Sequence, residues 1–127
     1  MTSPKTDLLI ESACHCGELK LKIHAAPPEA LTSCNCSICR RYGTLWSYYS
    51  PTKVEVIANP GAIQEYSWGE KELAFGRCAN CGCVSYWRGL NPTADRMGIN
   101  SRLFTNVDIS KIRIRLFDGA DTWKFLD

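Results

Sequence analysis

Three observations predict a mostly β fold for this 127-residue sequence. Short runs rich in β-branched and aromatic residues recur along it, Gly- and Pro-containing turns separate them, and eight cysteines fall in three tight groups suited to cross-linking a small domain through metal. Strands are expected, in order, over residues 19–24, 45–49, 54–58, 63–68, 73–77, 84–87 and 112–117. In the first, Leu19, Leu21 and Ile23 alternate with Lys20 and Lys22; in the last, Ile112, Ile114 and Leu116 alternate with Arg113 and Arg115. A period of two turns one apolar face toward a core. The runs between draw on Val54, Ile63, Phe75, Val84 and Tyr86, residue types that fit a pleated, half-buried surface. Pro27-Pro28, Asn59-Pro60-Gly61, Trp68-Gly69-Glu70, Asn91-Pro92-Thr93 and Asp118-Gly119 supply the fixed or positive φ that turns need. Helical pattern is confined to residues 37–42, with Ser37 as cap and Gly43 as terminator. Residues 8–127 are expected to form one domain and residues 1–7 a loose amino terminus. Strand order does not follow from these patterns.

Composition narrows the function classes. The formal net charge is +2 and the fifteen Lys and Arg residues are scattered, so no nucleic-acid partner is expected. No segment approaches the roughly 18 consecutive apolar residues of a membrane span, and no apolar run follows a basic patch at the start, so a cytoplasmic chain with no membrane partner is expected. Reducing cytosol keeps thiols available as ligands. Asn35-Cys36-Ser37 matches a glycosylation acceptor formally, but it lies inside a cysteine group of a chain read as unexported and is discounted.

The cysteine spacings divide the eight thiols by role. A disulfide framework spreads its cysteines to close long loops, whereas Cys14-His15-Cys16, residues 34–39 and residues 78–83 place thiols one or two residues apart, where pairs bridge poorly. Tetrahedral zinc needs sulfurs about 2.3 Å from the metal, hence sharp turns or one face of a strand. In Cys78-Ala79-Asn80-Cys81-Gly82 two residues make the turn and Gly82 takes the positive φ. Cys14 and Cys16 share one face of an extended segment, with Gly17 permitting the bend. These two pairs make one closed, structural four-thiolate site. Cys34, Cys36 and Cys39 offer three thiolates without an evident fourth, and an open position marks a catalytic site able to hold an incoming thiol. Arg40 and Arg41 border that group. Cys83 leaves a choice: as a fourth ligand to the middle group it would produce two closed sites and a non-catalytic, zinc-stapled binding module; otherwise it is a small apolar residue at a strand start. Four thiolates also suit a single iron, but the unequal ligand counts favour zinc. His15, pointing away from its cysteine neighbours, and His24, ending a strand, are not expected to ligate. Trp46, close after the middle group, is a candidate pocket wall.

The ordered set C-H-C-G at residues 14–17, C-N-C-S-I-C-R-R-Y-G at 34–43, F-G-R-C-A-N-C-G at 75–82, M-G-I-N-S-R-L-F at 97–104 and I-R-I-R-L-F-D-G at 112–119 resembles the glutathione-dependent formaldehyde-activating enzyme family, also called the Gfa or centromere-protein-V-like family. The resemblance implies an Mss4-like fold of antiparallel sheets with two zinc ions. Cys14, Cys16, Cys78 and Cys81 would hold the structural ion, and Cys34, Cys36 and Cys39 the catalytic one. It further implies a carbon-sulfur lyase type of activity, forming S-(hydroxymethyl)glutathione from glutathione and formaldehyde, with another thiol or aldehyde as substrate also open. Glutathione carries two carboxylates, so cationic clamps are expected; Arg102, with Asn100 beside it, and Arg40 and Arg41 are the motif-borne candidates.

Overall fold

The computed structural model describes residues 8–127; the expected loose segment, residues 1–7, lies outside the described residues. Ten strands occur among them: β1 (Ile10–Ala13), β2 (Leu19–Ile23), β3 (Ala30–Cys34), β4 (Trp46–Tyr49), β5 (Val54–Ala58), β6 (Ile63–Tyr66), β7 (Leu73–Cys78), β8 (Val84–Gly89), β9 (Met97–Asn100) and β10 (Arg113–Phe117). The architecture is mostly β, and a strand occupies each of the seven expected runs. β1, β3 and β9 were not expected. β1 and β3 are poor in β-branched residues, and β9 is buried at all four positions, so it has no polar alternation to betray it.

The strands form a three-stranded sheet in the order β1-β2-β5 and a seven-stranded sheet in the order β10-β3-β4-β9-β8-β7-β6. Pairing is antiparallel except between β10 and β3, which run parallel with Phe117 opposite Cys34. The sheets are thus antiparallel, as expected, with this one parallel pair at the edge of the larger. A long connection lets the last strand return beside β3, and its end is thereby delivered to the middle cysteine group.

The two faces of the large sheet do different things. On one, Tyr86, Met97 and Ile99 meet Ile10, Leu21 and Ile23 of the small sheet to make the main core. On the other, Trp46, Phe75 and Val84 are buried with Cys39, and Leu73, Tyr48 and Trp87 pack against them while facing an open cleft. Trp46 and Tyr48 reach the same face because they are two apart on β4. Trp87 lies flat over Gly98, its register partner on β9; a Cβ there would stand 2.1 Å from the indole Nε1. A glycine in mid-strand thus creates the floor of the cleft.

The helix α1 (Cys39–Tyr42) is a single turn. Gly43 ends it at φ 68° and donates its N–H to Cys39 O, as expected of a left-handed terminator. Ser37 does not cap it: the position before the helix is Ile38, and the Cys39 N–H is instead directed at Cys36 Sγ, 3.4 Å away. A thiol replaces the hydroxyl as acceptor for this amide.

Candidate functional site

Four cysteines meet where the small sheet adjoins the large one. The β1–β2 turn carries Cys14 and Cys16, with Gly17 at φ 85°; Cys78 ends β7, and the turn after it carries Cys81, with Gly82 at φ 82°. Both glycines sit in the left-handed region that other side chains resist. The four sulfurs lie within 4.8 Å of one another, Cys14 and Cys16 at 3.7 Å and Cys16 and Cys78 at 3.5 Å. Corners of a tetrahedron drawn at about 2.3 Å from a zinc ion are about 3.8 Å apart, so this donor set fits. Amides are aimed at the sulfurs: Leu19 N–H donates to Cys14 Sγ at 3.3 Å and Cys81 N–H to Cys78 Sγ at 3.4 Å. Backbone amides of Cys83 and then Cys16 bring the Cys81 thiol down to about 5.

Cys34, Cys36 and Cys39 form a second group, also within 4.8 Å of one another. Cys34 ends β3, Cys36 lies in the following turn and Cys39 opens α1. Donation from the Cys39 thiol, against the cost of burial and with help from the Cys36 and Gly119 backbone, brings Cys34 down to about 5. Cys39, keeping the shared proton beside Cys34 and buried, is pushed up. The Trp46 indole N–H donates to Cys39 Sγ at 3.4 Å, so Trp46 both walls the site and holds this sulfur in place. Each cysteine group can therefore hold a metal ion.

Cys83 stands with the first group. It packs with Cys14, Leu19 and Cys78, and lies in neither set of converging sulfurs. A hydrogen bond from the His15 backbone favours its thiolate, yet burial and the adjoining Cys81 and Cys14 sulfurs hold the thiol above its ordinary range. The arrangement in which Cys83 closes the middle group is thus not favoured. His15 is exposed and outside both groups, and His24 pairs with Glu55 at 3.7 Å on the surface.

All three cysteines of the second group line a cleft of about 990 Å³, and none of the first group does. Its walls are mainly aromatic, and its charged residues are Arg96, Glu70 and Glu72. Trp46 is in the lining, but Asn100, Arg102, Arg40 and Arg41 are not. Asn100 is buried and spent on the fold: its carbonyl accepts from Leu45 and Arg102 N–H, and its amide donates to Val84 O. Arg102 Nε donates to Gly43 O at 2.7 Å, satisfying a carbonyl at the end of α1, and Arg41 donates to Ser37 O. All four therefore stand outside the cleft lining.

Two cleft features were not found in the sequence. Arg96 follows no motif; the β8–β9 connection brings its guanidinium 4.0 Å over the Tyr48 ring. Gly119 stands in the sequence as a turn residue at the end of a motif, with no sign of its contact: a Cβ on it would lie 2.5 Å from Cys34 Sγ and 3.3 Å from Cys36 Cβ. The Asn35 side chain fixes that approach, donating to Asp118 Oδ1 and accepting from Ala120 N–H, both at 3.0 Å. Gly119→Ala is expected to lower stability by about 1–3 kcal/mol through overpacking. It should also weaken metal uptake by Cys34, Cys36 and Cys39, read as loss of thiolate-to-metal absorption after cobalt substitution; a spectrum like the wild type's would contradict it.

No helix among the described residues is long and apolar enough to cross a membrane. A crystal structure of a Rhodobacter sphaeroides protein matches with a TM-score of 0.69 at 22% identity, over 82% of this chain and 98% of that one, a likeness of fold. The model of a family described as glutathione-dependent formaldehyde-activating enzyme matches residues 9–117, a span that takes in both cysteine groups and Phe117 at the cleft wall. The chain belongs to that family.

Proposed function

We propose that the protein is a zinc-dependent, carbon-sulfur lyase-type enzyme that makes and breaks S-(hydroxymethyl)glutathione. The observation that carries this reading is the partition of the sulfurs: three face a cleft sized for a small molecule, and four lie away from it. In this reading Cys14, Cys16, Cys78 and Cys81 hold a structural zinc, and Cys34, Cys36 and Cys39 hold a catalytic one. The thiolate-only donor sets and sulfur spacings fit that metal. A zinc ion with three protein ligands supplies Lewis-acid stabilisation of an added thiolate.

The rest of the chemistry falls to the chain. Glutathione's sulfur forms a bond to formaldehyde carbon, the carbonyl π pair moves onto oxygen, and the proton released from the thiol ends on that oxygen. Tyr48 lines the cleft, and burial raises its phenol so that it stays protonated and can donate to the developing alkoxide. Arg96, the one cation of the lining and in no ion pair among the described residues, is placed for a glutathione carboxylate. Glu70 and Glu72 suit its ammonium. Trp46 orients Cys39.

Addition of a thiol to formaldehyde proceeds without a catalyst, so the test is binding and acceleration together. Calorimetry on the fully metallated protein is expected to show glutathione binding that Arg96→Ala weakens by roughly tenfold, the loss of one charge-assisted contact. Exchange spectroscopy should show faster interconversion of glutathione with its hydroxymethyl adduct. Absence of glutathione binding by fully metallated protein would overturn the proposal.

A further inference from the structure

All four tryptophans of the chain, Trp46, Trp68, Trp87 and Trp123, line the one cleft. Trp46 and Trp87 are explained by the fold, the first buried beneath the thiolates and the second laid over Gly98. Trp68 and Trp123 are not. Trp68 is 50% exposed and Trp123 73%, and leaving large aromatic surface in water forgoes the stabilisation that burial would supply. They arrive from opposite edges of the seven-stranded sheet, Trp68 from the β6–β7 turn and Trp123 from the segment after β10. No single element's packing brings them to the same cleft.

The backbone at Trp123 is strained to do so. Its φ is 59°, a left-handed conformation that a bulky side chain adopts only when its surroundings impose it. Those surroundings are present: Trp123 N–H donates to Asp118 O, Asp118 N–H to Lys124 O, and the Asp118 carboxylate accepts from the Thr122 amide and hydroxyl. Phe117 stands edge-on to both Trp123 and Phe125, with centroids 5.5 and 5.0 Å away. Phe117 is the register partner of Cys34, and Gly119 abuts the Cys34 sulfur, so this aromatic wall begins at the thiolates.

Formaldehyde has one carbon and no apolar group to offer such a wall, and glutathione's charged ends need Arg96, Glu70 and Glu72 instead. A cleft of about 990 Å³ lies at the upper end of the roughly 300–1,000 Å³ usual for small-molecule sites. We infer that the aromatic surfaces of this cleft, Trp68 from one edge of the sheet and Phe117, Trp123 and Phe125 from the other, form a subsite for the apolar substituent of a larger aldehyde, aryl or branched alkyl, so that the adduct handled is R–CH(OH)–S–glutathione. This rests on the cleft being a thiol-adduct site. The bonds made and broken are those of the formaldehyde reaction: the sulfur–carbon bond forms, the π pair goes to oxygen, and the thiol proton follows it.

S-benzylglutathione and S-methylglutathione are stable thioethers that place or omit a phenyl group on the carbon next to sulfur, where R stands in the adduct. Titrated into the fully metallated protein, S-benzylglutathione is expected to bind at least about tenfold more tightly than S-methylglutathione. Trp68→Ala and Trp123→Ala should cut that preference to about threefold or less, while S-methylglutathione affinity stays within about twofold. Equal binding of the two thioethers by the wild type, or a preference that survives both substitutions, would overturn the inference and leave the glutathione reading standing. Failure of glutathione and both thioethers to bind would remove that reading and this inference with it. Both tryptophans are half or more exposed, so the alanine variants should fold, and the wild-type ratio is decisive against the inference without them.

Discussion

A Cys78→Ser variant is expected to lose its cooperative fold. Cys78 is buried at the end of β7, packed with Cys14 and Leu19, and its sulfur lies 3.5 Å from that of Cys16, 62 residues away in sequence. A metal held there ties the β1–β2 turn of one sheet to the β7–β8 turn of the other. Closing a loop of that length removes roughly 4 kcal/mol of chain entropy from the unfolded state, on the relation used for disulfides. Structural zinc in small peptides contributes on the order of 10 kcal/mol to folding. A domain of this size has a net stability of about 5–15 kcal/mol, so losing even part of the cross-link consumes most of it. The expected result is a broad, non-cooperative thermal transition followed by circular dichroism, with zinc content falling for both sites. Cys83→Ser is the control: it adjoins the same group but lies outside its converging sulfurs, and it should melt within about 1 kcal/mol of the wild type. A sharp, wild-type-like transition for Cys78→Ser would refute the structural role.

The sequence disclosed those features of the fold and site that local spacing determines. Alternation in residues 19–24 sufficed for β2, because a strand with one wet face records its burial in every second residue, and aromatic content in residues 45–49 sufficed for β4. β9 escaped notice because Met97, Gly98, Ile99 and Asn100 are all buried, Gly98 accommodating the Trp87 ring and Asn100 using its amide to join three chain segments. The converging sulfurs were legible for a similar reason: one- and two-residue spacings constrain a turn whatever surrounds it. Contacts between distant segments left no such mark. Arg96 reaches the cleft through the β8–β9 connection, and Gly119 meets Cys34 only because β10 runs parallel to β3. Arg102 and Asn100 are conspicuous in a motif, and both give side-chain hydrogen bonds to the scaffold.

Cys36→Ser should separate chemistry from stability. Cys36 is half-buried in a turn on the cleft wall, and its group links β3 to the adjacent α1 instead of one sheet to the other. The chain enclosed between Cys34 and Cys39 is short, so a metal there constrains few unfolded conformations. What the substitution costs the fold is chiefly the contact from Cys39 N–H to Cys36 Sγ at 3.4 Å, about 1 kcal/mol, and the serine oxygen can recover part of it. The expected outcome is a melting transition close to the wild type's, zinc content falling from two ions per chain toward one, and loss of most glutathione affinity and of adduct exchange. If this were a stapled binding module, the same change would destabilise the fold and glutathione would bind neither form. The two readings therefore diverge in one experiment, provided metal content, melting and glutathione binding are measured on the same sample. Retention of wild-type adduct exchange with a single bound zinc would exclude the three-cysteine group from the chemistry, since the remaining ion would then be held by Cys14, Cys16, Cys78 and Cys81, away from the cleft.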